Sequence, residues 1–159
     1  MIVVLDYGSQ YTRLIAKQIR LSKVYCLVKN PRISLDDLKA LKPQAVILSG
    51  GPNSVYEAGA PALPAGFLQW QEASGIPVLG ICYGLQLLVH EMGGEVKSGT
   101  HREYGRMPVE VLEHSDFWAA KPGTSRTMWM SHGDAATRLP SGFKLTAKSQ
   151  SGAVASIEH

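Results

Sequence analysis

Four short apolar runs, each followed by a stretch with helical spacing, constrain this chain more than any other feature. Ile2-Val3-Val4-Leu5, the segment Val24 to Val28, Ala45 to Leu48 and Val78-Leu79-Gly80-Ile81 read as strands. A run that is apolar at every position leaves no face for solvent, so both of its faces must be covered. The intervening stretches supply the cover. Tyr11, Leu14, Ile15 and Ile19 recur at helical spacing, with Ser9 placed to cap that helix. Ser34 followed by Asp37 is a capping-box pattern that opens a short helix to about Leu41. Another helix is predicted around Phe67 to Ala73, ending near Gly75. Leu85, Leu88, Val89 and Met92 form the apolar face of a further helix, which Gly93-Gly94 stops. Strand and helix in alternation predict an α/β fold with a central, mostly parallel sheet flanked by helices. Past Gly94 the pattern changes to short strand candidates at Val109 to Leu112, Thr127 to Met130, Lys144 to Ala147 and Ala153 to Ile157, an expected antiparallel extension.

With 159 residues the chain is expected to be a single domain, 1–159. The formal net charge is +3 and the cations are scattered, so a nucleic-acid partner is not indicated. The sequence lacks the run of about 18 apolar residues that a membrane helix needs, so no membrane partner is expected. The apolar start at Met1 to Leu5 carries no basic leader, which suggests a cytoplasmic setting. No Cys/His pair has zinc-ligand spacing, and no metal is expected.

The chemistry concentrates in Gly80-Ile81-Cys82-Tyr83-Gly84. A strand enters a helix through a sharp turn with a nucleophile type at its apex, the nucleophile-elbow arrangement with sulfur in place of oxygen. That geometry would put Cys82 at a helix N-terminus, where the dipole favours thiolate, and would aim the Tyr83 N–H at a developing oxyanion. The same pentapeptide also fits a buried structural cysteine after a strand. Cys26, mid-strand and without glycine neighbours, reads as core. Ser49-Gly50-Gly51-Pro52 follows the third strand, at the sheet edge where ligands gather, and reads either as a substrate loop or as a plain tight turn. Met130-Ser131-His132-Gly133-Asp134 offers His132 as a general base, as a ligand contact, or as a loop histidine satisfied by backbone. His90, His101, His114 and His159 have no acid at a suggestive spacing and are taken as surface residues.

Together these segments resemble the class I glutamine amidotransferase family. Gly80-Ile81-Cys82-Tyr83-Gly84-Leu85-Gln86 is similar to its nucleophile motif and Ser49-Gly50-Gly51-Pro52 to its oxyanion loop. Asp6-Tyr7-Gly8-Ser9-Gln10-Tyr11, Arg102-Glu103-Tyr104-Gly105 and Ser131-His132-Gly133-Asp134 resemble the branch of that family that serves GMP synthesis. The resemblance implies attack of Cys82 on the side-chain amide of L-glutamine, with the backbone N–H groups of Gly51 and Tyr83 holding the oxyanion. It also implies substrate contacts from Gly50, Gln86, Ser131, His132 and Gly133, with His132 a binding residue and not the base. The released ammonia would pass to an ATP-dependent, XMP-aminating synthetase domain or subunit. ATP and Mg would act in that partner only, so this chain needs no cofactor. Alternatives are the glutaminase subunit of another synthetase, such as the anthranilate type, or a non-catalytic binding module. One departure stands out: the catalytic His and Glu of the family lie in a His-Pro-Glu motif, and none occurs here. The sequence closes on Ile157-Glu158-His159, which resembles the strand before that motif, so the expectation is a truncated end and little steady turnover.

Overall fold

In the computed structural model of the chain, all residues are described except Asp116 and Trp118, together with the side chains of Thr100, His101, Arg102, Ser131 and His132. The chain forms two compact units, Met1–Leu88 and Val89–His159.

The first unit holds a parallel sheet of four strands in the order β2-β1-β3-β4. β1 is Ile2–Leu5, β2 Cys26–Lys29, β3 Ala45–Leu48 and β4 Val78–Gly80. β1 is central, with Ile2 opposite both Cys26 and Ala45, and β3 continues to β4 with Val46 opposite Val78. The two inner strands carry the unbroken apolar runs, and Val3, Val4, Leu5, Val46 and Leu48 are fully buried. The edge strand β2 is covered less completely, and Val28 is exposed on it.

The helices are α1 (Thr12–Leu21), α2 (Leu35–Ala40), α3 (Phe67–Ser74) and α4 (Tyr83–Glu91). The capping box at α2 forms as the sequence predicts: Ser34 Oγ accepts from the Asp37 N–H at 3.0 Å. At α1 the expectation needs correcting. The residue before the helix is Tyr11, and Ser9 instead accepts the Tyr11 N–H at 3.0 Å while its carbonyl accepts the Thr12 N–H at 3.1 Å. Ser9 therefore closes a turn ahead of the helix. The buried positions of α1 are Thr12 and Ala16, while Tyr11 and Leu14 are exposed. A left-handed Gly75 ends α3.

The second unit is an antiparallel sheet of its own, ordered β6-β5-β7-β8. β5 is Glu95–Val111, β6 Ser125–Arg138, β7 Lys144–Ser149 and β8 Val154–Glu158. β5 and β6 run far beyond the short strands the sequence suggests. Their outer halves are polar, so pairing rather than alternation defines them. The β5–β6 ladder breaks between the pairs Ser98–Asp134 and Glu103–His132. The unit encloses Val96, Val109, Val111, Ala136 and Ala147, and with them the carboxylate of Glu103. A buried carboxylate needs partners; Glu103 Oε1 accepts from Ser149 Oγ at 2.6 Å and from Ser151 Oγ.

Candidate active site

The strand order 2-1-3-4 has a switch point between β1 and β3, whose following connections leave in opposite directions and open a crevice at the carboxyl edge. The loop after β1 is Asp6-Tyr7-Gly8-Ser9, the loop after β3 is Ser49-Gly50-Gly51-Pro52, and β4 next to it delivers Cys82.

The turn at Cys82 is strained in the way an elbow requires. Cys82 has φ +50°, a left-handed conformation that costs a residue with a Cβ about 1–3 kcal/mol. The glycines on either side are forced by close approach. A Cβ on Gly80 would lie 2.6 Å from the Gly84 carbonyl oxygen and the Leu85 nitrogen, and one on Gly84 would lie 2.4 Å from the Leu48 carbonyl oxygen. Cys82 stands immediately before α4, and its carbonyl accepts the N–H groups of Leu85 and Gln86, both at 3.0 Å. The Tyr83 ring anchors the other side of the turn. It is buried, its hydroxyl donates to the Pro61 carbonyl at 2.7 Å, and it packs 5.4 Å from the ring of Tyr7.

Three loops meet around Cys82. Tyr7 N–H donates to Ser49 Oγ at 3.0 Å, and Ser49 Oγ donates to the Gly50 carbonyl at 2.9 Å. Gly51 passes so close to the Tyr7 carbonyl that a Cβ would sit 2.5 Å from its oxygen. Gly50 lies between two side chains: a Cβ there would be 3.4 Å from Ser9 Oγ and 3.5 Å from Cys82 Cβ. The bare backbone of Gly50 thus lies beside Cys82, and the Gly51 N–H makes no hydrogen bond among the described residues. Gly51 therefore has a donor to offer an anion, as the oxyanion loop would require.

Cys82 is exposed, whereas Cys26 is fully buried, its thiol directed at the Ala16 carbonyl. The two cysteines divide as the sequence predicts. Loss of water around the sulfur pushes the Cys82 thiol above its ordinary value. Protein packed around the sulfur removes water that would solvate the anion.

The remaining sequence candidates divide between the units. Gln86 is buried in α4, one turn past Cys82. Ser131, His132 and Gly133 belong to β6 in the second unit. The side chains of Ser131 and His132 lie outside the described residues; their backbones pair with Tyr104 and Glu103. Gly133 falls within the break in the β5–β6 ladder. The reading of these as loop residues gives way to strand. His90, His114 and His159 are exposed, as expected. Among the described residues no group of three His, Cys, Asp or Glu could hold a metal ion, and no helix is long and apolar enough to cross a membrane. What sequence reasoning missed is Ser9, read as a helix cap yet standing beside Gly50. Its position at the end of β1 is the signal that could have found it.

Comparison with known proteins shows the family and agrees with the fold. The family model for glutamine amidotransferase class-I matches residues 3–159. A GMP synthase [glutamine-hydrolyzing] of Brachyspira hyodysenteriae is 43% identical over 158 residues, covering 99% of this chain and 30% of that protein. One from Prochlorococcus marinus is 52% identical over 143 residues, covering 89% of this chain and 26% of that protein. The chain therefore spans less than a third of the length of these relatives. Among solved structures, a Thermoplasma acidophilum protein studied as a candidate GMP synthase subunit superposes with a TM-score of 0.86 at 26% identity, covering 99% of this chain and 77% of that one. A Thermotoga maritima glutamine amidotransferase shares the fold at 20% identity with a TM-score of 0.74, covering 99% and 70%. The match of the family model along nearly the whole chain, both units included, identifies the chain as a member of the class-I glutamine amidotransferase family.

Proposed function

We propose that the chain hydrolyses the side-chain amide of L-glutamine through a thioester on Cys82, and that the ammonia serves an ATP-dependent synthetase domain or subunit that aminates XMP to GMP. The observation that carries the chemistry is the left-handed Cys82 between two glycines that admit no side chain, with Gly50 alongside. The names of the relatives, GMP synthase [glutamine-hydrolyzing], support the assignment to nucleotide synthesis.

In this reading the Cys82 sulfur attacks the amide carbon and the thiol proton passes to a base. The carbonyl π pair moves to oxygen, where the N–H groups of Gly51 and Tyr83 receive it. Collapse of that intermediate breaks the C–N bond, and the proton returned by the base lets ammonia leave. Water then adds to the thioester carbonyl, and Cys82 thiol and glutamate are released. Each oxyanion donor is worth about 3 kcal/mol to the transition state. The resemblance adds substrate contacts from Gly50, Gln86, Ser131, His132 and Gly133. The base belongs to the family's His-Pro-Glu motif, which these 159 residues do not contain. ATP and Mg belong to the synthetase partner, and this chain uses no cofactor.

A chloroketone analogue of glutamine tests the proposal. The Cys82 sulfur adds to the ketone carbon, whose oxygen takes up the charge in the oxyanion position, and then shifts to the methylene carbon, forming the C–S bond there and expelling chloride as the ketone re-forms. Labelling should saturate with reagent concentration and be prevented by glutamine. Labelling that rises linearly and ignores glutamine would refute a glutamine site. Delivery of ammonia to XMP, measured as GMP formed from glutamine in the presence of the synthetase, tests the second half; transfer to chorismate instead would favour the anthranilate type.

A further inference from the structure

We propose that Ser9 is a catalytic residue of this site, its hydroxyl donating a hydrogen bond to the substrate carbonyl oxygen as Cys82 attacks. The inference rests on the glutaminase reading and extends it to a side chain of the Asp6-Tyr7-Gly8-Ser9-Gln10-Tyr11 segment, which has no chemical role in the steps from Cys82 attack to glutamate release.

Position comes first. Ser9 follows β1 and Gly50 follows β3, so both stand at the switch point of the sheet, where the connections part and a ligand can enter. Across Gly50, the Ser9 hydroxyl and the Cys82 side chain are neighbours. They lie 3.4 Å and 3.5 Å from the point where a Gly50 side chain would begin. The absence of that side chain leaves the gap between hydroxyl and nucleophile open.

Hydrogen bonding comes second. Ser9 Oγ accepts the Tyr11 N–H at 3.0 Å, and the Ser9 carbonyl accepts the Thr12 N–H. Both bonds use Ser9 as an acceptor. The hydroxyl proton has no acceptor among the described residues, so one donor remains for a ligand. Closing the turn requires only an acceptor, which Asp or Asn would supply equally well. A serine there adds the ability to donate next to the nucleophile.

Rigidity comes third. Asp6 Oδ1 accepts the Gly8 N–H at 3.0 Å and the Thr12 hydroxyl at 2.7 Å, which ties the loop to the first turn of α1. Tyr7 is tied to Ser49 through its N–H. A donor held by such a frame needs little reorganisation when charge develops on the oxygen, and that is the condition under which it lowers a barrier.

The experiment is saturation labelling of the purified protein with the glutamine chloroketone, compared with labelling by iodoacetamide, which has no amino-acid moiety to bind. Ser9→Ala should lower the maximal chloroketone rate by about tenfold or more, the lower end of what one oxyanion donor supplies. The half-saturating concentration should change by less than about twofold, and the iodoacetamide rate should match the parent, because a donor that acts on the transition state leaves ground-state binding alone. Ser9→Thr, which keeps the hydroxyl, should restore the rate. Ser9→Gly gives a second hydroxyl-free variant should Ser9→Ala melt early. An unchanged maximal rate in either hydroxyl-free variant overturns the proposal. So does a loss confined to half-saturation, and so does a parallel loss with iodoacetamide, which would mark a structural role. Parent protein that labels without saturation would instead overturn the glutaminase reading itself, so the two failures are distinguishable.

Discussion

Replacing Gly84 with alanine probes the elbow without touching a reactive atom. The new Cβ would lie 2.4 Å from the Leu48 carbonyl oxygen, 2.6 Å from Leu48 Cβ and 2.8 Å from the Leu48 carbonyl carbon. Leu48 cannot yield, because it is fully buried in β3 with β1 on one side and β4 on the other. The start of α4 must therefore lift away from the sheet. Overpacking of this kind costs about 1–3 kcal/mol. The lift also stretches the bonds from Gly84 N–H to the Ser49 carbonyl at 3.1 Å and from Ile81 N–H to the Leu48 carbonyl at 3.0 Å, each worth about 1 kcal/mol. Alanine returns about 1 kcal/mol of helix propensity. The net expectation is a loss of about 3 kcal/mol, or roughly 6–12 °C in Tm for a chain of this size. Gly59→Ala is the control: its Cβ meets nothing within 4 Å, and its φ of +82° alone should cost about 1–2 kcal/mol. Melting followed by circular dichroism gives both shifts, and chloroketone labelling of Cys82 should slow in Gly84→Ala only. A Gly84→Ala melt within about 2 °C of the parent, or smaller than the Gly59→Ala shift, would refute the close approach on which the elbow rests.

Alkylation should discriminate between the cysteines: Cys82 is exposed and Cys26 is buried, so mapping of labelled peptides should find Cys82 modified well before Cys26. Although Cys82 is reachable by reagent, protein around its sulfur displaces part of the water there and raises its pKa, so the fold favours the neutral thiol. The resulting stability is complete below the unfolded-state value and is lost as pH rises through the folded-state value. Alkaline melts should therefore fall more steeply for the parent than for Cys82→Ser, and equal slopes would contradict the shift. Ser34→Ala should cost about 1 kcal/mol through loss of the bond to the Asp37 N–H, read from a denaturant midpoint. Leu38→Ala, at a fully buried position of the same short helix, should cost about 2–5 kcal/mol in the same titration.

Much of the first unit is local information. The apolar runs of β1 and β3 demand cover on both faces, and Ser34 with Asp37 starts α2, because both effects act over a few residues. The Gly-Ile-Cys-Tyr-Gly segment admits an elbow reading because two glycines leave room for a sharp strand-to-helix turn around a nucleophile type. Tertiary structure decided what depends on distant partners. β5 and β6 owe their length to cross-strand pairing, which leaves no periodic trace in the polar stretch after Gly94. The upward push on the Cys82 thiol comes from burial, which a sequence does not display. Ser9 looked like a cap because a serine before a helix usually is one. Only the strand order β2-β1-β3-β4 brings the end of β1 beside the end of β3, and with them a hydroxyl, a bare glycine backbone and a thiol.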